Sequence, residues 1–477
     1  MNIKSKVIAG LSWTAGSNLI GQIITWSITI IVMRILAPAD YGLLAIASIF
    51  VAFLSMMTAV GLGPAIVQVK DIDQGLMSQL FGLILSMNAL LFLVLFVAAP
   101  AIANFFDEPR LSDVVRALSL QFVVNAFATI PEAMLGRALL FKIRALIDLA
   151  ANILGGVVTL TLAMYGCGVW SLVVGSLLNT ACRAVGLNIW QPYLHRPRFS
   201  LKGTRKLLVF GGNVTAARLL WFFYSQADMF VAGKLLGKEV VGLYSVAMHL
   251  ASLPVQKISG IINQVAFPAF ATIKADGGTI NTHFLKGVRL LSFFSFPVLW
   301  GISAVAPDLV ALVLGKKWMG AVLPLQMLPA IMPLRMISNF LPAAVDAVGR
   351  PDVSVKNLIA ASLVMPAAFV FGSQWGVFGL CLAWLVAFPV IFIGNLTRAL
   401  PVLQVTASGL VLSMYRPAIA AAGMYLAVGV FTHYLASSAT VAERFTGQVG
   451  LAAFVYLSLT VAINREGLRE VRHLFKR

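Results

Sequence analysis

Apolar runs of about 20 residues or more, the length that carries a helix across a bilayer, recur from end to end of the chain, separated by short polar breaks. The first six predicted spans are Gly10–Leu36, Gly42–Val69, Leu76–Ala99, Val114–Leu135, Ala145–Tyr165 and Val169–Trp190. Six more run Leu207–Leu236, Val241–Ile273, Phe284–Ala306, Val322–Val348, Val353–Gly372 and Val377–Arg398. Val411–Leu435 and Val449–Ile463 complete the set. The pattern predicts an all-α integral membrane protein of about fourteen transmembrane helices.

Composition agrees: of 477 residues 60% are hydrophobic and 11% charged, with mean hydropathy +0.92, which excludes a water-soluble fold. The formal charge of +18 would suggest nucleic acid in a soluble chain, but here Lys and Arg sit in the breaks, where they set topology. No nucleic-acid partner is expected. An even number of crossings puts both termini on one side. That side collects Lys4, Lys6, Lys70, Arg137, Lys142, Arg144, Arg350, Lys356, Arg398 and the Arg465–Arg477 cluster, and is therefore read as the cytoplasm. The start imitates a signal peptide but runs on to Leu36 without a cleavage site, so it reads as a retained first helix. Cys167, Cys182 and Cys381 have neither disulfide-framework nor metal-site spacing.

The chain repeats itself. Residues 34–47 (RILAPADYGLLAIA) align without a gap on residues 234–247 (KLLGKEVVGLYSVA). Ala99-Pro100 answers Ala306-Pro307, Gly136-Arg137 answers Gly349-Arg350, and Gly168-Val169 answers Gly376-Val377. Matches kept in order imply duplication of a six-helix unit, and an even helix count makes the repeat parallel, about an axis along the membrane normal. The expected organisation is an N-lobe over 1–190, a basic cytoplasmic linker over 191–206, a C-lobe over 207–400, and a terminal helix pair with a basic tail over 401–477. Two such lobes would enclose a central cavity.

Charged residues inside a membrane are costly and mark function by default. Arg218, Lys257 and Arg335 lie near the middles of their spans, three cations at one depth in the second half. They suit an anion, in particular a phosphate or diphosphate, whose oxygens guanidinium groups bind bidentately; snorkelling or structural pairing is the competing explanation. Arg34 and Lys234 occupy equivalent repeat positions near helix ends, where anchoring and ligand contact compete. Thr14, Asn18, Gln22, Thr25 and Thr29 fall on one face of the first span, and Ser245, His249, Ser252, Gln256 and Asn263 near one face of the eighth. These stripes suit sugar hydroxyls, or hydrogen bonds between helices. Asp228 and Glu132 are candidates for a coupling H+ or Na+. Asp228 stands about 15 Å along its helix from Arg218, too far for a direct salt bridge. Arg183 reads as an anchor, and Asp148 and Asp346 as structural partners. No GxxxxGK[ST], HExxH or GxSxG is present, so neither catalysis nor a cofactor is expected.

Trp13, the segment Arg34-Ile-Leu-Ala-Pro-Ala-Asp-Tyr-Gly-Leu and the segment Gly61-Leu-Gly-Pro-Ala-Ile-Val-Gln68 look like the opening of the polysaccharide transporter branch, the Wzx-type flippases, of the multidrug/oligosaccharidyl-lipid/polysaccharide exporter superfamily. The resemblance covers essentially the whole chain. It implies movement of undecaprenyl-diphosphate-linked oligosaccharide units across the bacterial plasma membrane for exopolysaccharide, capsule or O-antigen assembly. The diphosphate would then sit on a cationic lumen and the sugars in the polar cavity, with membrane lipids around it and polymerase and export machinery as partners. Lipid II flippases of the superfamily carry arginines in their first helices, whereas amides and hydroxyls stand here until Arg34, which argues against lipid II as cargo.

Two other functions remain open. A multidrug antiporter of the same fold should show an acidic cavity, for which Asp228 and Glu132 are the support. A membrane polymerase or glycosyltransferase should show catalytic carboxylates and a large outer loop, and the sequence offers neither.

Overall fold

In a computed structural model of the chain, residues 21–22, 24–58, 74–193, 196–199, 205–275, 278–435 and 439–474 are described. Among these the structure is helical, without strands. Helices satisfy most of their backbone N–H and C=O groups within their own segment, as hydrocarbon surroundings demand. Ten stretches are long and apolar enough to cross a membrane among the described residues. Side chains such as Val97, Leu363, Leu426 and Phe454 stand 67–70% exposed on them, the surface that lipid would cover.

The chain forms two compact units, Met1–Gly242 and Leu243–Arg477. The first contains α1 (Ile24–Ile35), α2 (Pro38–Thr58), α3 (Gln74–Phe105), α4 (Arg110–Arg137), α5 (Phe141–Met164) and α6 (Val169–Trp190). Its core is built from positions three and four apart. Met77, Leu80, Phe81 and Ile84 of α3 pack on Ala126, Ile130 and Ala133 of α4, and Ile147 of α5 meets Ala128 of α4 and Leu187 of α6. The segment expected as a linker is partly pinned to this unit. Tyr193 is buried with its ring centroid 5.6 Å from that of Phe81, burial pushes its phenol above the ordinary range, and Arg198 N–H donates to the Ser78 carbonyl at 2.9 Å.

Next comes α7, Arg205–Ala275, broken at Gly237, where φ is +80°. Side chains rarely adopt that conformation, and glycine does so without steric cost. The break falls between the spans predicted at Leu207–Leu236 and Val241–Ile273. At the start of the second arm, a Cβ on Gly242 would fall on the Pro38 carbonyl, and a Cβ on Gly42 would fall on the Lys238 carbonyl. These pairs, 42 with 242 and 38 with 238, are the ones that the sequence repeat aligns. Beside them, Lys234 reaches Asp107 at 2.7 Å and Lys238 reaches Glu108 at 2.5 Å, tying the arm to the α3–α4 turn.

The second unit continues with α8 (Asn281–Leu309), α9 (Val322–Ala347), α10 (Pro351–Gly372), α11 (Gly376–Leu403), α12 (Ala407–Val430), α13 (Val441–Ile463) and α14 (Arg465–Leu474). The pair α12 and α13, outside the predicted repeat, packs on α8: Phe296 and Val305 meet Ala420, Met424, Val428 and Tyr456. Polar contacts lock it there. Tyr456 donates to the Phe293 carbonyl at 2.7 Å, and the buried Asp308 receives Arg444 in a two-pronged pair together with Gln448 at 2.7 Å.

Candidate functional site

Arg335 lies in the middle of α9, a helix dense in Met, Leu and Ile. Its guanidinium carbon stands 4.0 Å from the centroid of the Trp384 ring of α11, close enough for a strong cation–π contact in a dry site. Trp384 is fully buried and donates its indole N–H to the Tyr244 hydroxyl of α7 at 2.9 Å, while Phe369 and Phe388 pack on its ring. Met332 and Met248 turn their sulfurs toward one guanidinium nitrogen at 3.4 and 3.9 Å. Among the described residues no carboxylate comes within ion-pair distance of Arg335, and its side chain is half-buried rather than sealed. Arg335 is thus a permanent cation on an aromatic and thioether floor, with no neutralising acid among the described residues.

The second arm of α7 borders this arrangement through Tyr244 and Met248. On that arm Ser245 and Ser252 are half-buried, and His249, Gln256 and Lys257 are exposed. The side chains of Arg218 and Asn263, and Asn18 altogether, lie outside the described residues. In the first unit Gln22 and Thr25 are half-buried and Arg34 is exposed. Thr29 donates its hydroxyl to the Thr25 carbonyl at 2.7 Å, so this member of the stripe is satisfied within its own helix.

The two candidate acids differ. Asp228 is 2% exposed in the first arm of α7, and its carboxylate accepts the Met229 N–H at 2.8 Å. Glu132 stands between two guanidinium groups, Arg144 at 2.5 Å and Arg183 at 2.8 Å, and Arg183 also holds Asp148 at 2.8 Å. Two acids and two bases balance there in a cross-link of α4, α5 and α6, so Arg183, expected as an anchor, is instead engaged by Glu132 and Asp148. Asp346 accepts the Ser354 hydroxyl at 2.7 Å. Trp384, Tyr244, Met248 and Met332 were not legible as site residues. Each is an ordinary apolar or aromatic member of a span, and only packing brings it to Arg335.

The model of a family described as polysaccharide biosynthesis proteins matches residues 31–323. Among curated proteins, the chain is 28% identical to the lipopolysaccharide biosynthesis protein WzxC of Escherichia coli (strain K12), over 81% of this chain and 79% of that one. It is 27% identical to the teichuronic acid biosynthesis protein TuaB of Bacillus subtilis (strain 168), over 74% of each chain. It is also 27% identical to the succinoglycan biosynthesis transport protein ExoT of Rhizobium meliloti (strain 1021), over 60% and 58%. Of solved structures, the lipid II flippase MurJ in its inward closed conformation aligns with TM-score 0.76 at 15% identity, covering 95% of this chain and 99% of that one. An inward-facing multidrug resistance MATE family transporter aligns with TM-score 0.62 at 17% identity, covering 83% and 94%. At these identities the two structures speak for the fold alone.

Proposed function

Since the chain belongs to the polysaccharide biosynthesis protein family, we propose that it is a flippase that carries a lipid-linked oligosaccharide, joined to undecaprenyl diphosphate, across the bacterial plasma membrane for exopolysaccharide, capsule or O-antigen assembly. The observation that carries this reading is Arg335, an intramembrane cation held over Trp384 without a carboxylate partner among the described residues. A cationic drug would be repelled there, whereas a diphosphate would be drawn in and bound through two oxygens at once.

The protein works without covalent chemistry. Arg335, with Lys257 in the same unit, holds the diphosphate, and Arg218 and Arg34 are the first unit's candidate cations for it. The amides and hydroxyls of Asn18, Gln22, Thr25, Gln256 and Asn263, with the imidazole of His249, receive the sugars. The polar interior opens alternately to the two leaflets while the polyprenyl tail stays in the bilayer. A proton or sodium gradient, acting through Asp228, or the membrane potential acting on the anionic cargo, drives the cycle. Both termini face the cytoplasm, and polymerase and export machinery of the pathway take up the transporter's products on the opposite side of the membrane.

Reconstitution into liposomes with a fluorescent undecaprenyl-diphosphate oligosaccharide tests this. Protein-dependent movement to the opposite leaflet is expected, reduced about 10- to 100-fold by Arg335→Ala, the cost of one charge-assisted bidentate contact of about 1.5–3 kcal/mol. Drug–proton exchange without lipid movement would instead make the chain an antiporter.

A further inference from the structure

In a different part of the second unit, a cavity lies where the N-terminal ends of α8 and α12 meet the C-terminal end of α13. It has a volume of about 290 Å³, and its walls include Arg289, Arg416, Ser413 and Asn464. Two guanidinium groups thus share a small space at the end of a helix bundle. Arg289 is oriented by Glu470 of α14 at 2.9 Å, and Arg416 by the Tyr415 hydroxyl at 3.0 Å.

Asn464 closes the wall. It is 1% exposed, and its Oδ1 accepts the Gly467 N–H at 3.2 Å. Two arginines at one small cavity suit an anion with several oxygens, a phosphate group.

The surroundings say what bears the phosphate. Leu412, 61% exposed, also lines the cavity, so the mouth opens on the surface along which acyl chains run. Next to it, α14 carries the exposed Arg465 and Arg469 one turn apart, cations placed for the headgroup layer. By the charge distribution this end of the bundle is the cytoplasmic one. We propose that the cavity between α8, α12 and α13 is a binding site for the phosphate headgroup of an anionic phospholipid of the cytoplasmic leaflet. It shares no residue with the diphosphate site around Arg335. Headgroup binding here ties α14 and the α12–α13 pair to the membrane surface.

The test uses the full-length protein, with lipid retention read by native mass spectrometry, so it does not depend on which cargo is carried. The protein is exchanged from equal mixtures of phosphatidylglycerol and phosphatidylcholine. Retention of one phosphatidylglycerol at about fivefold or more over phosphatidylcholine is expected, falling at least about fivefold in Arg416→Gln and in Asn464→Asp, which puts a negative charge in the wall. Equal retention of the two lipids, or a preference that both variants leave unchanged, would overturn the proposal. So would displacement of phosphatidylglycerol by equimolar undecaprenyl phosphate, which would assign the cavity to the transported lipid. Should both variants fail to fold, the wild-type preference between the two lipids decides.

Discussion

Arg335 shows how the neighbours of a side chain bear on what its charge can do. Guanidinium stacks on indole and grips phosphate with its edge, two interactions that an ammonium cannot make together. Arg335→Lys is therefore expected to keep the charge but lose most of the substrate affinity, and Trp384→Leu to weaken affinity about tenfold with the charge intact. Titration of a fluorescent polyprenyl diphosphate against the purified variants measures both. Asp308 illustrates the other use of charge. Arg444→Ala would strand that buried carboxylate and cost about 3 kcal/mol, the low end for an orphaned buried charge. A lower thermal unfolding temperature should appear in detergent, and it should be recovered in part by a second change, Asp308→Asn.

At the level of elements, the long helix α7 is two arms joined at Gly237, and its second arm meets α2 backbone to backbone at Gly42 and Gly242. No side chain fits between a Cα and a carbonyl at that range, so the approach depends on two glycines placed 200 residues apart. Gly42→Leu and Gly242→Leu should each force the helices apart. Overpacking of this kind costs about 1–3 kcal/mol, and either variant should lower the yield of monodisperse protein on size-exclusion chromatography. Gly237→Ala is strained for a different reason, its positive φ, and should lower stability by about 1 kcal/mol without touching that contact.

For the molecule as a whole, the positive charges form the strongest pattern. They gather in alternate breaks and at the C-terminus, and they predict that single cysteines introduced at the basic tail and at Lys142 are labelled by impermeant reagents only from the cytoplasmic side of oriented vesicles. Labelling of either from outside would invert the orientation. The four-residue cluster of Glu132, Arg144, Asp148 and Arg183 adds a stabilising core to the first unit. Its loss through Arg183→Ala should destabilise the protein whether or not cargo is present, unlike the changes at Arg335.

Hydrophobic length and loop charge were enough to read a multi-pass helical membrane protein and to mark Arg335, because in a bilayer each helix is specified by its own residues and each buried charge is conspicuous. Residues 34–47 also align without a gap on residues 234–247, with Gly42 opposite Gly242. Local pattern could not reveal what those marks do. Arg335 and Glu132 are both ionisable residues inside apolar runs, yet packing surrounds one with Trp384 and two thioethers and the other with two arginines. The cavity at Asn464 also depends on residues more than a hundred positions apart, Arg289 and Arg416 among them. The chain by itself determined which helices form and where charge enters the membrane. Only tertiary structure decided which charges meet carboxylates and which meet aromatic rings and thioethers, because a charge's energy depends on neighbours brought together by folding.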